Sequence, residues 1–494
     1  MKHLLLSSAA ALALTGIVHA QNLSVQSAVE EGIAQINEDG ANLTYQSSSV
    51  GADNSLTLRN VRMEPDDAGL VLEAEFVKLT PSTESPGDVV ITVADVVTLT
   101  GEPEDDMPPV TVTLASSGLE ITTNWVLNAA GKGMLSAVAD SLKVSGGDPD
   151  HPVLKGLLLE QSDLNISLDF DEETRDANAS YSASSFDMDY TIGDPLEPEV
   201  EIRSVASTPD GLSILFEGRS LPENPDSDAE MTAFLETGSV LFRAEGGAGT
   251  SRLVSNSPEM PVTIEAEGSA GTAEFSLMDG NFAMAFDYGN ISYLITPDVS
   301  QVPFPPFDVA VAAMNMNIAM PLSPAEETRQ AQIAMTISEL EVGDSVWAMI
   351  DSAGKIPRDP ATLELDLTAD VKLNVPVSEI DDTPNPMEVG EAQSVDLNRL
   401  FLSLGGVLLQ GEGGVTIDNS GPFPIPNGAV DISLSGAQGL ANTLVELGLI
   451  DQMQVGMAMG MMMAFAQPGT EPDSFTSKIE FKDGSILANG QPIQ

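Results

Sequence analysis

The chain of 494 residues contains no cysteine, three histidines, two tryptophans and 19 basic residues against 75 acidic ones. Without cysteine there is no disulfide framework, no thiolate nucleophile and no thiolate metal site. A formal charge of −56 and an isoelectric point near 4.1 exclude nucleic acid as a partner, because phosphate binding needs clustered Lys and Arg. The same field repels anionic lipid headgroups. Aromatics make up 5% of the chain, a thin supply for a sugar-lining cleft. Beyond the first twenty residues no apolar run reaches the roughly 18 residues of a membrane helix; the longest there is Val455–Ala466, of 12. Hydrophobic content of 42% and a mean hydropathy of +0.05 nevertheless exclude disorder by lack of core material.

Residues 1–20 read as a secretory leader. Lys2 supplies the positive start, Leu4–Val18 the apolar stretch, and Val18-His19-Ala20 a small-residue cleavage site before Gln21. The expectation is a soluble periplasmic protein. Loss of the leader removes Lys2, His3 and His19, so the mature charge becomes −57 and the one remaining histidine is His151. Any Ser-His-Asp enzyme must use it, and a His-rich metal site cannot be built. His151 lies in Asp148-Pro149-Asp150-His151-Pro152, which reads as an exposed loop.

What is present is strand periodicity. From Leu363 to Val375, odd positions are apolar and even positions polar without exception. Weaker alternation covers Leu70–Leu79, Leu164–Phe170, Phe186–Ile192, Ile333–Ile337 and Val430–Leu434. Lys478–Lys482, Asp483-Gly484 and Ser485–Ala488 spell a hairpin, with Asn489-Gly490 a second turn. The fold class is therefore mainly β, with large antiparallel, curved or sandwich-like sheets of long one-sided strands. A few short helices are expected. They are Val25–Ile36, a stripe of Met134, Leu135, Val138, Ala139 and Leu142, the Leu440–Leu447 segment closed by Gly448, and 451–466 stopped by Pro468. Composition places an N-terminal β-rich half at 21–195 and a C-terminal one at 196–494, with Asp194–Glu199 as linker or long loop. One continuous sheet is the alternative. Pro303, Pro305 and Pro306 mark a further break, and Asp381–Pro386 a surface excursion.

Catalytic motifs fail in turn. Gly343-Asp344-Ser345 has no histidine downstream, Ser352-Ala353-Gly354-Lys355 lacks its companion blocks, and Gly131-Lys132-Gly133 and Gly411-Glu412-Gly413 lack the remaining glycines of nucleotide loops. No catalytic, cofactor-binding or metal-binding residue is assigned, and no cofactor. Abundant acids, such as Asp187 and Asp189, offer at most weak surface Ca2+ binding. Met453, Met457, Met459, Met461, Met462 and Met463 surround one helix, apolar on every side, which reads as a core helix rather than a copper or lipid-contacting one.

Two blocks carry a family resemblance. Trp347-Ala348-Met349-Ile350-Asp351 with Pro357-Arg358-Asp359-Pro360-Ala361-Thr362-Leu363, and Leu444–Ile450 followed by the Met-rich helix and Ala488-Asn489-Gly490-Gln491, resemble the bacterial family called domain of unknown function 2125. The resemblance extends over most of the mature chain and implies no activity and no functional residue. The sequence thus points to an exported protein with a non-catalytic structural or binding role, its partner an envelope protein or a lipid. In the usual packing of sheets, each apolar face meets a second sheet. The alternatives are binding of a lipid or other hydrophobic ligand along an open apolar face, and a hydrolase built on two carboxylates.

Overall fold

The computed structural model describes residues 30–493 apart from short stretches at 31–32, 35–36, 38–39, 41, 66–68, 84, 86–87, 102–107, 125–131, 198, 226, 299–303, 381–382, 384, 422 and 483. The leader, most of the first expected helix and parts of the 303–306 and 381–386 segments lie outside the described residues. Of that helix, Glu30, Ile33, Ala34 and Asn37 are described and helical.

The protein is mainly β, with 30 strands among the described residues in a large antiparallel sheet. The chain forms two compact units. One comprises residues 1–221, 244–265 and 297–303, the other 222–243, 266–296 and 304–494. Asp194–Glu199 falls inside the first unit, as the loop of a hairpin whose strands pair from Gly193↔Glu201 to Phe186↔Thr208.

In the first unit, β1 (Leu56–Met63), β2 (Leu70–Pro81) and β3 (Val89–Val93) wrap a closed core. Leu56, Leu58, Val61, Met63, Val77, Leu79 and Ile91 are nearly inaccessible, and Leu43 and helical Ile33 complete the cluster. The inward positions change parity within β1, from Leu56 and Leu58 to Val61 and Met63. The change falls at Asn60, which takes the left-handed conformation (φ 51°), one that Asn and Asp tolerate better than other side chains. Opposite it β2 changes parity too, from Val77 to Ala74.

The same device accounts for a difference from expectation. Met134–Leu142 is a strand, part of β4 (Lys132–Gly146), paired along its length with β5 (Leu154–Asp171). Apolar pairs lie at Leu135↔Leu168, Ala137↔Ile166 and Ala139↔Leu164 on one side of Asp163 (φ 48°), and at Val144↔Leu159 on the other. The switch spaces Leu135, Ala139 and Leu142 at i, i+4, i+7. A helix has that spacing, and so does an alternating strand whose parity flips once.

The second unit contains a run of ten strands, each paired with the next. They are β6 (Gly271–Met278), β7 (Asn281–Tyr288), β8 (Ala313–Pro321), β9 (Arg329–Val342), β10 (Ala361–Leu373), β11 (Gly390–Leu404), β12 (Val407–Asp418), β13 (Ile425–Ser435), β14 (Ser474–Lys482) and β15 (Ser485–Ala488). β10 is the strictly alternating segment. At the end of β15, Asn489 and Gly490 both have positive φ (52° and 77°), the turn that the Asn-Gly pair predicts.

The helices of this unit include α1 (Asp344–Ile350), α2 (Ala437–Glu446) and α3 (Gln452–Phe465). The chain leaves α2 through Gly448 at φ 74°, and α3 ends before Pro468. The expectation of a core helix at 451–466 fails. In α3 Val455 alone is buried, while Met453, Met457 and Met461 are 78%, 63% and 60% exposed. Apolarity on all sides does not bury a helix when no second layer lies over it.

Candidate functional site: an open apolar sheet face

Registers across the ten strands place apolar residues in cross-strand rows, interrupted by glycine on β12. One row runs Phe275–Met284–Ile318–Ile333–Leu367–Leu397–Gly413–Val430–Ile479–Ala488. A second passes through Phe286, Met316, Met335, Leu365, Leu400 and Ile432. A third passes through Tyr288, Met314, Ile337, Leu363, Leu402, Leu409 and Leu434 to Phe475. With strands about 4.8 Å apart and same-face residues about 6.8 Å apart, the longest row spans roughly 43 Å and the three rows together roughly 14 Å along the strands, on the order of 500 Å². A contiguous apolar patch on a soluble monomer is normally a few hundred Å².

Sequence alone does not carry this face through β11, where alternation breaks twice. Register shifts against β10 lie at Asp366/Leu367 and Asp370/Val371. These bulges each absorb an extra residue, so Leu402, Leu400, Leu397, Val395 and Ala392 all stay in step with the odd residues of β10. Gly411 and Gly413 supply no side chain to the middle of the face. Gly413 needs its backbone (φ 151°), because a Cβ there would lie 2.3 Å from the Ala429 carbonyl oxygen.

The opposite face is polar and internally paired. Arg399 pairs with Glu364 and lies over the Phe401 ring (5.1 Å), while Asn398 and Gln332 donate to Asp366 Oδ1 at 3.2 and 3.3 Å.

The two faces do not differ in burial as a covered core and a wet surface would. No Val, Leu, Ile, Met or Phe on β8 to β13 is buried, and on the apolar rows Ile333 is 47% and Phe275 40% exposed. The second sheet expected over this face does not bury it.

The residues singled out for chemistry have structural roles. His151 is buried, contrary to the exposed loop its prolines suggest. Its Nδ1 accepts from the backbone N–H of Val153 (3.1 Å) and Leu154 (3.0 Å), and Nε2 faces the Pro108 carbonyl at 3.0 Å, where it donates. That geometry requires the neutral Nε2–H tautomer and leaves neither nitrogen for catalysis. Ser345 lies on α1, and Lys355 pairs with Glu446 at 2.7 Å. Asp187 accepts from the Ser207 hydroxyl, and Asp189 from both arms of Arg203 (2.9 and 2.6 Å), which hold its carboxyl below the usual range. Among the described residues no three His, Asp or Glu gather as a metal site would require.

Asp351, at the end of α1, is fully buried, alone among the described acids. Its Oδ2 accepts from the Ile356 N–H at 2.7 Å. Backbone N–H groups, that of Ile356 first and then that of Lys355, hold its carboxyl below the usual range. Arg358 donates to the Asp351 carbonyl (3.1 Å) and stacks 5.4 Å from the Trp347 ring centre. The Trp347–Leu363 block therefore ties the crossing from β9 to β10. A two-carboxylate mechanism needs a partner acid in a cleft, and the groups nearest this carboxylate are backbone amides.

Fold and site together define a mainly β, strongly acidic protein with a ten-strand run whose apolar face stays half-exposed on its middle strands. The chain belongs to the family described as an uncharacterized protein conserved in bacteria (DUF2125), which matches residues 242–493, just over half of the chain. Both blocks that suggested the resemblance lie inside that span, as do β6 to β15; residues 1–241 lie outside it, a narrower extent than the sequence suggested. No curated protein and no solved structure matches. No helix among the described residues is long and apolar enough to cross a membrane.

Proposed function

We propose that the protein is exported to the periplasm through its 1–20 leader and carries an extended hydrophobic ligand, the acyl chains of a lipid, along the apolar face of β6 to β15. The observation behind this reading is the set of apolar rows whose side chains remain partly exposed on the middle strands. Water against such a surface is unfavourable by about 25 cal/mol per Å², so a soluble protein that keeps it open does so for a partner. An acyl chain suits the site chemically. In the three rows the side chains able to hydrogen-bond are Tyr288 and Ser477, too few to fix a peptide or a sugar. Met284, Met314, Met316 and Met335 are thioethers that adapt to a flexible chain. The role is one of binding, without a catalytic step.

Native mass spectrometry of the protein purified from its own cell envelope tests this. The expected spectrum contains a bound lipid mass, which disappears in Ile333→Asp although that variant stays as stable as the parent to within about 0.5 kcal/mol. A lipid-free parent that dimerises through this face would overturn the proposal.

A further inference from the structure

We infer that α3, the exposed Met-rich helix, is a membrane-docking element that seats in the hydrocarbon surface of a neutral bilayer. The inference rests on the lipid-carrying reading above and says how the sheet would exchange lipid.

Four observations single out a bilayer over other occupants. Residues 452–470 contain no ionisable side chain, in a chain where 94 of 494 are charged. Selection against charge over 19 residues is unnecessary for a helix that only faces water. Apolar exposure also covers most of the helix, with Val455, Met459 and Met462 as its covered side. Met453, Met457 and Met461 form one stripe, Met463 and Phe465 are 51% and 47% exposed on other sides, and nothing lies within 4 Å of where a Cβ would stand on Gly456 or Gly460. A protein groove takes one face of a helix and leaves the other polar, whereas hydrocarbon accepts every face. Third, 14 residues give a helix of about 21 Å, shorter than the roughly 30 Å hydrocarbon core, so α3 can enter one leaflet without spanning. Finally, the helix is joined to the lipid-carrying face. The Phe465 carbonyl at its end accepts from Ser477 Oγ (2.6 Å) and Asn489 Nδ2 (2.9 Å). Ser477 is the residue opposite Ile432 in the second apolar row, so α3 ends on the same side of β14 as the apolar face. The neutral polar ends, Gln452, Gln454 and Gln467, suit the headgroup level. The charge of the rest of the chain makes anionic lipid the unfavourable choice.

The test is flotation of the full mature chain with phosphatidylcholine vesicles. The parent is expected to float, and the triple variant M453D/M457D/M461D to lose at least tenfold in bound fraction with unchanged circular dichroism, since all three sites are exposed. Replacing part of the phosphatidylcholine by phosphatidylglycerol weakens flotation, and salt restores it. M457W should shift its emission to the blue on adding vesicles. Equal flotation of parent and triple variant, no shift in M457W, or a blue shift that depends on protein concentration without vesicles would each overturn the inference, the last because α3 would then be covered by a second copy. The two readings separate cleanly. Flotation by a parent that carries no lipid supports α3 docking and removes the lipid-carrying role. A lipid-loaded parent that does not float removes α3 docking and leaves that role standing.

Discussion

The β1–β3 core and the β8–β13 rows are built from the same kinds of residue in the same kind of ladder, yet one is dry and the other is open. Leu56, Leu58, Val77 and Leu79 are each about 1% exposed, whereas no large apolar side chain on β8 to β13 is buried. The difference lies in what covers the pleat. Near β1 a helical segment bearing Ile33 and the Leu43 segment close over the sheet. Along β8 to β13 the ladder continues sideways, and the apolar side chains stay half-buried. An alternating strand therefore specifies a two-faced surface and says nothing about whether the apolar side is filled.

That contrast gives the largest expected effect. Leu58→Ala should destabilise the protein by about 3 kcal/mol through transfer and cavity terms together. The chemically identical Leu365→Ala in the open rows should cost only about 1 kcal/mol. Denaturant midpoints of the two variants check this, and equal losses would show that the open face is covered after all.

His151→Ala comes next, at about 2 kcal/mol, because it removes the buried ring that partners two backbone N–H groups and one carbonyl. If it unfolds at the parent's denaturant concentration, the loop is held by something else.

Asp351 gives a dependence on pH. Its folded carboxyl titrates below its unfolded one, so its contribution is complete above the ordinary carboxylate range and is lost as pH falls through the depressed value. The stability gap between parent and Asp351→Ala should therefore narrow in acid. A gap that widens in acid would reverse the assigned sign.

The smallest effect runs the other way. Gly456→Ala should stabilise α3 by about 0.5–1 kcal/mol, since the helix has open space at that position.

Much of this fold is legible in the residues. β10, the β14–β15 hairpin, the Asn489-Gly490 turn and the α2 and α3 boundaries follow from period and turn chemistry. β8 is legible in the same way. Met314, Met316, Ile318 and Met320 alternate with Asn315, Asn317 and Ala319 in β8. Two segments hide their strand character for one reason. β4 and β11 alternate in two registers, one through a parity switch at the level of Asp163 and the other through bulges, so neither keeps a single period. His151 was misplaced because proline-rich flanks predict a loop and carry no signal that two N–H groups and a carbonyl will converge on its ring.

By itself the sequence determined the class of the protein. Alternation over long strands compels antiparallel sheet, the acid excess settles on its polar side, and the missing cysteine and scarce histidine remove most site chemistry. These are properties of local periodicity and of residue type. Tertiary structure decided where apolar surface ends up. Whether Leu58 and Leu365 are dry or open, whether α3 is core or surface, and whether the odd residues of β10 join those of β11 all depend on cross-strand register and on what lies above the sheet. Those relations link residues far apart in the chain, where periodicity has no reach.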